Sequence, residues 1–136
     1  MKRSLLLVLA GVCLCRPALA QEGLRAGAYA MNVTPPRFPI SVNGGMADRL
    51  AKRAHDLLHA RCLVLDDGRQ KLVLVVVDSC MIPRELIDAA KAKVQATVGI
   101  PPEQICISAT HTHSAPTLTG DFQSEPDREY VAFLTE

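Results

Sequence analysis

At 136 residues, with fifteen Lys and Arg against fourteen Asp and Glu and a formal net charge of +1, the chain has room for one modest domain. It carries no basic cluster of the kind that binds nucleic acid or an anionic membrane surface. No internal repeat or low-complexity tract is present.

Residues 1–20 have the pattern of a secretory signal peptide. Lys2 and Arg3 give a basic start, Leu5 to Leu14 an apolar centre, and Ala18-Leu19-Ala20 a small-x-small cleavage site before Gln21. The apolar run is too short for a permanent anchor, so the protein is expected to be exported, to the periplasm or beyond. Cleavage removes Lys2, Arg3 and Arg16 and leaves twelve basic against fourteen acidic residues, a net charge of −2 with histidine neutral.

A first strand is predicted over Arg25 to Val33, closed by Thr34-Pro35-Pro36, with loop from Pro36 to Gly45. Asn43-Gly44-Gly45 has the composition of an ordinary surface turn, the alternative being a close backbone approach to a ligand. Arg61 to Leu65 and Lys71 to Val77 flank the polar, glycine-containing turn Asp66 to Gln70, which is a hairpin signal. The second of these runs lacks alternation and predicts a central strand buried on both faces. Pro83 opens a helix to about Val98, with Ile87, Ala90, Val94 and Val98 as its apolar stripe. Gly99 and Pro101 stop that helix, and a strand over Ile105 to Ala109 follows. Strand, helix, strand at this length predicts a parallel, right-handed crossover. The fold class is therefore α/β, a β-hairpin followed by a βαβ unit with a parallel strand pair. Ser124 to Asp127 suggests a capping box for a last helix bearing Tyr130, Phe133 and Leu134. So much uncovered apolar surface suggests that residues 21–136 are the N-terminal portion of a larger catalytic domain.

The last strand ends in Thr110-His111-Thr112-His113-Ser114-Ala115-Pro116. In extended backbone, residues two apart project to one face, and imidazole is a common zinc ligand. The pair is a candidate metal site, against the plainer alternative of two hydrogen-bonded loop histidines. Asp78 ends the neighbouring parallel strand, on the same sheet edge. It is open whether it orients a histidine or only satisfies backbone donors. His55 and His59 stand four apart, but the run after them is strand-like and no Glu accompanies them, so they are expected to be separate. Cys62, Cys80 and Cys106 lack Cys-x-x-Cys spacing and are expected to behave as small buried hydrophobes rather than ligands.

Ile107 to Pro116 resembles the Thr-His-Thr-His-Ser-Gly-Pro-Gly signature of neutral, non-lysosomal ceramidases, with Ala115 and Thr117 where that signature has glycines. Ala54-His55 leading to Ala60-Arg61, Val75 to Ile82, and Arg25-Ala26-Gly27 with Val33-Thr34 fit the same family. The resemblance implies an exported zinc amidase that cleaves the N-acyl bond of ceramide-like lipids to a sphingoid base and a fatty acid. It implies His111 as a zinc ligand and His113 as a catalytic residue at the attacked carbonyl. Zinc activates water and offsets the oxyanion that amide hydrolysis develops. The family draws its other zinc ligands from downstream segments, so this chain alone is expected to be inactive. A metallo-β-lactamase-like loop would need Asp and His where Ala115 and Pro116 stand. A hydrolase of another amide or ester, or an exported binding module without metal, are the alternatives.

Overall fold

The computed structural model describes residues 23–121 and 123–136; residues 1–20, expected from their sequence to be a signal peptide, lie outside the described residues. A four-stranded sheet runs in the order β1-β4-β5-β6, and a two-stranded sheet pairs β2 with β3. The larger sheet consists of β1 (Arg25–Asn32), β4 (His59–Asp66), β5 (Lys71–Val77) and β6 (Ile105–Ala109). The smaller has β2 (Ile40–Val42) and β3 (Arg49–Ala51), and the helices are α1 (Arg84–Val98) and α2 (Arg128–Thr135).

The β4–β5 hairpin forms because Asp67 closes its turn. The Asp67 carboxylate accepts the backbone N–H groups of Arg69 and Gln70 at 2.9 and 2.7 Å, and Gly68 takes the left-handed φ of 84° that the turn needs. From β5 the chain crosses through α1 and returns as β6, parallel to β5, with Val73 opposite Ile105 and Val77 opposite Ala109. Helix α1 has Pro83 as its N-cap rather than its first residue, and it ends on Gly99 in the left-handed conformation.

Two apolar clusters hold these layers. Val73, Ile105 and Ile100 are buried under α1 with Val75, Ile107 and Val94, and each such side chain contributes about 1.5–3 kcal/mol. Val98, expected in the α1 stripe, is exposed. Ile40, Leu118 and Tyr130 form the second cluster, joining the small sheet to α2. The buried Tyr130 hydroxyl donates to the Val33 carbonyl at 2.8 Å, and burial pushes its pKa well above the usual phenol value.

Two expectations change. Strand β5 is central, but only its Val73 and Val77 side is buried; Leu72, Leu74 and Val76 are exposed, because no described element covers the face opposite α1. The cap of α2 is Asp127, which accepts the Tyr130 N–H at 2.8 Å. Ser124 instead points inward to the Thr117 hydroxyl.

Candidate metal centre

Strands β5 and β6 are parallel, so their carboxyl ends emerge side by side, and the ladder continues beyond them. Thr110 N–H donates to the Val77 carbonyl at 2.9 Å and Thr112 N–H to the Ser79 carbonyl at 3.2 Å. Between these two bonds His111 turns into the left-handed region, with φ 60°. A residue other than glycine held there costs on the order of 1–3 kcal/mol. The turn brings Nδ1 of His111 to 2.8 Å from the Cys80 carbonyl oxygen. That oxygen can only accept, so the imidazole proton sits on Nδ1 and Nε2 presents a bare lone pair.

Nε2 of His111 faces Nε2 of His113 at 3.3 Å, with the rings edge-on at 78°. Two nitrogens bound about 2.0–2.1 Å from one tetrahedral zinc stand roughly 3.3–3.4 Å apart. The spacing therefore fits an edge of such a site, and both rings are exposed, open to an ion and to a substrate.

His113 is fixed from behind. Gly44, at φ 97°, lies so close that a Cβ there would overlap the His113 ring and come 2.8 Å from its Cα. Arg49 on β3 donates to the His113 carbonyl at 3.1 Å. The loop after His113 is stitched to β2 by Asn43 N–H to the Ala115 carbonyl at 3.2 Å and Thr117 N–H to the Ser41 carbonyl at 2.9 Å. Thr117, 1 % exposed, shares its hydroxyl with Ser124 at 3.1 Å. The small sheet thus forms one wall of a groove of about 450 Å³, with Phe38, Ile40, Val42, Leu50 and Leu58 among its lining and His113 at its edge.

Of the residues singled out from sequence, His111 and His113 come together. Asp78 does not join them: its carboxylate accepts the His59 N–H at 2.9 Å and the Arg61 guanidinium at 2.8 Å, so it serves the backbone and not a histidine. Burial alone would raise its pKa, but those two donors hold it below the usual carboxylate range. His55 pairs with Asp56 in the loop before β4, while His59 begins that strand, and no element carries both. Cys80 is the residue that sequence spacing passes over. It is buried, its Sγ is 3.8 Å from His111 Nδ1, and Cys80, His111 and His113 each offer a ligand atom within 4.8 Å of the others. Cys106, expected to be buried, is exposed on the open sheet face.

No protein-family model and no curated protein matches the chain. Solved ceramidases share its fold. The neutral ceramidase from Pseudomonas aeruginosa and a ceramidase complexed with C2 each align with a TM-score of 0.64 at 25% sequence identity. Each alignment covers 70% of this chain and 16% of the solved one, so the chain spans about a sixth of the length of those proteins. The likeness supports a ceramidase-like α/β fold carrying a group of residues able to hold a metal ion. Among the described residues no helix is long and apolar enough to cross a membrane.

Proposed function

We propose that this chain is the leading part of an exported, zinc-dependent amide hydrolase acting on ceramide-like N-acyl lipids. One observation carries the reading: two imidazole Nε2 atoms converge at 3.3 Å, and the His113 ring also lines a groove that Phe38, Ile40, Val42, Leu50 and Leu58 share with Arg49, Arg53 and Asp56. Zinc, when bound, supplies the Lewis acidity that activates water and offsets charge on an attacked carbonyl oxygen. His111 holds the ion through Nε2, its tautomer set by the Cys80 carbonyl. His113 stands between His111 and the groove, where its ring meets the amide carbonyl of a substrate and stabilises the charge that develops there. Phe38, Ile40, Val42, Leu50 and Leu58 give an acyl or sphingoid chain an apolar bed.

The fold shared with ceramidases supports the choice of an N-acyl lipid, and the activity belongs to the whole protein. The test is elemental analysis of the full-length protein after removal of loosely bound ions, with N-acyl sphingosine hydrolysis assayed on the same sample. The expected result is about one zinc per chain, activity lost on chelation, and both zinc and activity lost together in His111→Ala. Zinc without that hydrolysis would move the reading to another amide or ester, and absence of metal would favour a binding module on the same fold.

A further inference from the structure

We infer that the N-acyl lipid this groove prefers carries an anionic group, a carboxylate or a phosphate, on its amine half close to the scissile bond, and that Arg49 and Arg53 hold that group. The inference rests on the hydrolase reading above and deepens it by naming the charge of the substrate. Two guanidinium groups, those of Arg49 and Arg53, line the same groove as the His113 ring, against a single carboxylate, Asp56. That carboxylate is already engaged, since Nδ1 of His55 lies 3.1 Å from it. Neither arginine forms an ion pair among the described residues, and Arg53 makes no hydrogen bond there either.

An arginine on an open convex surface gains little from a partner, but these two stand around a concavity that also has Phe38, Ile40, Leu50 and Leu58 in its lining. Arg49 is set in place by backbone rather than by a counter-charge. Its Nη2 donates to the His113 carbonyl at 3.1 Å, and its Nε would stand 3.2 Å from a Cβ at residue 45, so the guanidinium lies against Gly45. A guanidinium presents five donors in a planar fork, and one bond to a carbonyl leaves the others for the oxygens of a carboxylate or a phosphate. Because that fork is tied to the backbone of His113, the group it receives lies within a few bonds of the amide carbonyl assigned to the His113 ring. The acyl half is hydrocarbon and takes the apolar part of the groove, so the charge belongs to the amine half. An N-acyl amino acid has this form, and so does an N-acyl amino alcohol bearing a phosphate; a neutral head leaves both guanidiniums without a partner. In the hydrolysis the C–N bond breaks, the oxygen of water joins the acyl carbon and one of its protons passes to the nitrogen. A fatty acid and an amine bearing the anionic group leave, with no change of oxidation state.

The experiment compares three amides of one acyl chain on the full-length, zinc-loaded protein, each below its micelle-forming concentration: N-dodecanoylglycine, N-dodecanoylethanolamine and the phosphate ester of the latter. Their heads are a carboxylate, a hydroxyl and a phosphate. The expected result is a kcat/KM for one or both anionic amides about tenfold above that of the neutral one at low ionic strength, an advantage that shrinks as salt is added. Arg53→Gln should remove most of that ratio and Arg53→Lys should keep part of it. Zinc is present in all three proteins, so attraction of the head to the metal does not mimic the change. Whichever anionic amide leads separates a carboxylate from a phosphate. A ratio of one or less in the parent, or a ratio that Arg53→Gln leaves unchanged, overturns the anion seat and leaves the hydrolase reading intact. If neither these amides nor N-acyl sphingosine is hydrolysed, the hydrolase reading falls, and calorimetric affinities of the same three amphiphiles decide the seat. A preference for the charged heads that Arg53→Gln abolishes keeps it, and equal affinities overturn it.

Discussion

A methyl group at residue 44 has nowhere to go. Gly44 takes a positive φ and backs directly on the His113 ring, so Gly44→Ala must displace the histidine or distort the turn. We expect a loss of about 1–3 kcal/mol of stability and a weaker hold on metal, checked by thermal unfolding with and without zinc. A variant that unfolds at the parent temperature and binds zinc equally would remove Gly44 from the site. The sequence shows a flexible Asn-Gly-Gly turn but not this contact, because His113 comes much later in the chain and the two loops meet through tertiary bonds, the β2 bridge to Pro116 and the Arg49 bond to the His113 carbonyl among them. His111 and His113 are legible, since a spacing of two at a strand end is a local pattern. Cys80 is not, because its partnership with His111 exists only once two parallel strands lie side by side. The strand-end argument that brings Asp78 to the histidine edge covers Cys80 equally, and is the signal that finds it.

Elements long enough to show a period are readable: β1, the β4–β5 hairpin, α1 and β6 fall close to where composition and punctuation put them. The three-residue strands β2 and β3 are too short to show alternation; they exist because the loop carrying His113 and the second apolar cluster hold them. At this scale Asp78 ties β4 to the end of β5. Its folded pKa is depressed below the ordinary 3.8, so the stability it contributes is fully present above the unfolded value and is lost as pH falls through the folded one. Asp78→Asn should therefore cost about 1–2 kcal/mol at neutral pH through the weakened bonds to His59 and Arg61. It should also flatten the fall of stability below about pH 4. Denaturant unfolding across that range measures both, and an acid limb as steep as the parent's would contradict the assignment.

At the scale of the molecule, pairing registers align Ala28, Leu63, Leu74 and Cys106 across the face opposite α1, with Leu72 and Val76 in the flanking rows. Leu63, Leu72, Leu74 and Val76 are 36–43% exposed, and a sheet with one bare apolar face calls for a covering layer. The run Leu72 to Val77 shows that need in the sequence, since a strand without alternation expects cover on both sides. The 136-residue chain on its own should bind a hydrophobic dye and self-associate, and Leu74→Lys with Val76→Thr should reduce both, as measured by dye fluorescence and sedimentation. Dye binding unchanged by the double substitution would place the sticky surface elsewhere.

Strand β6, which delivers the histidines, has a neighbour on one side only among the described residues. Its outer edge offers a free row of donors and acceptors that ends beside His111. Any strand recruited to that row would extend the sheet and arrive beside the histidine pair in one step, so completing the architecture and walling in the candidate site would be the same event.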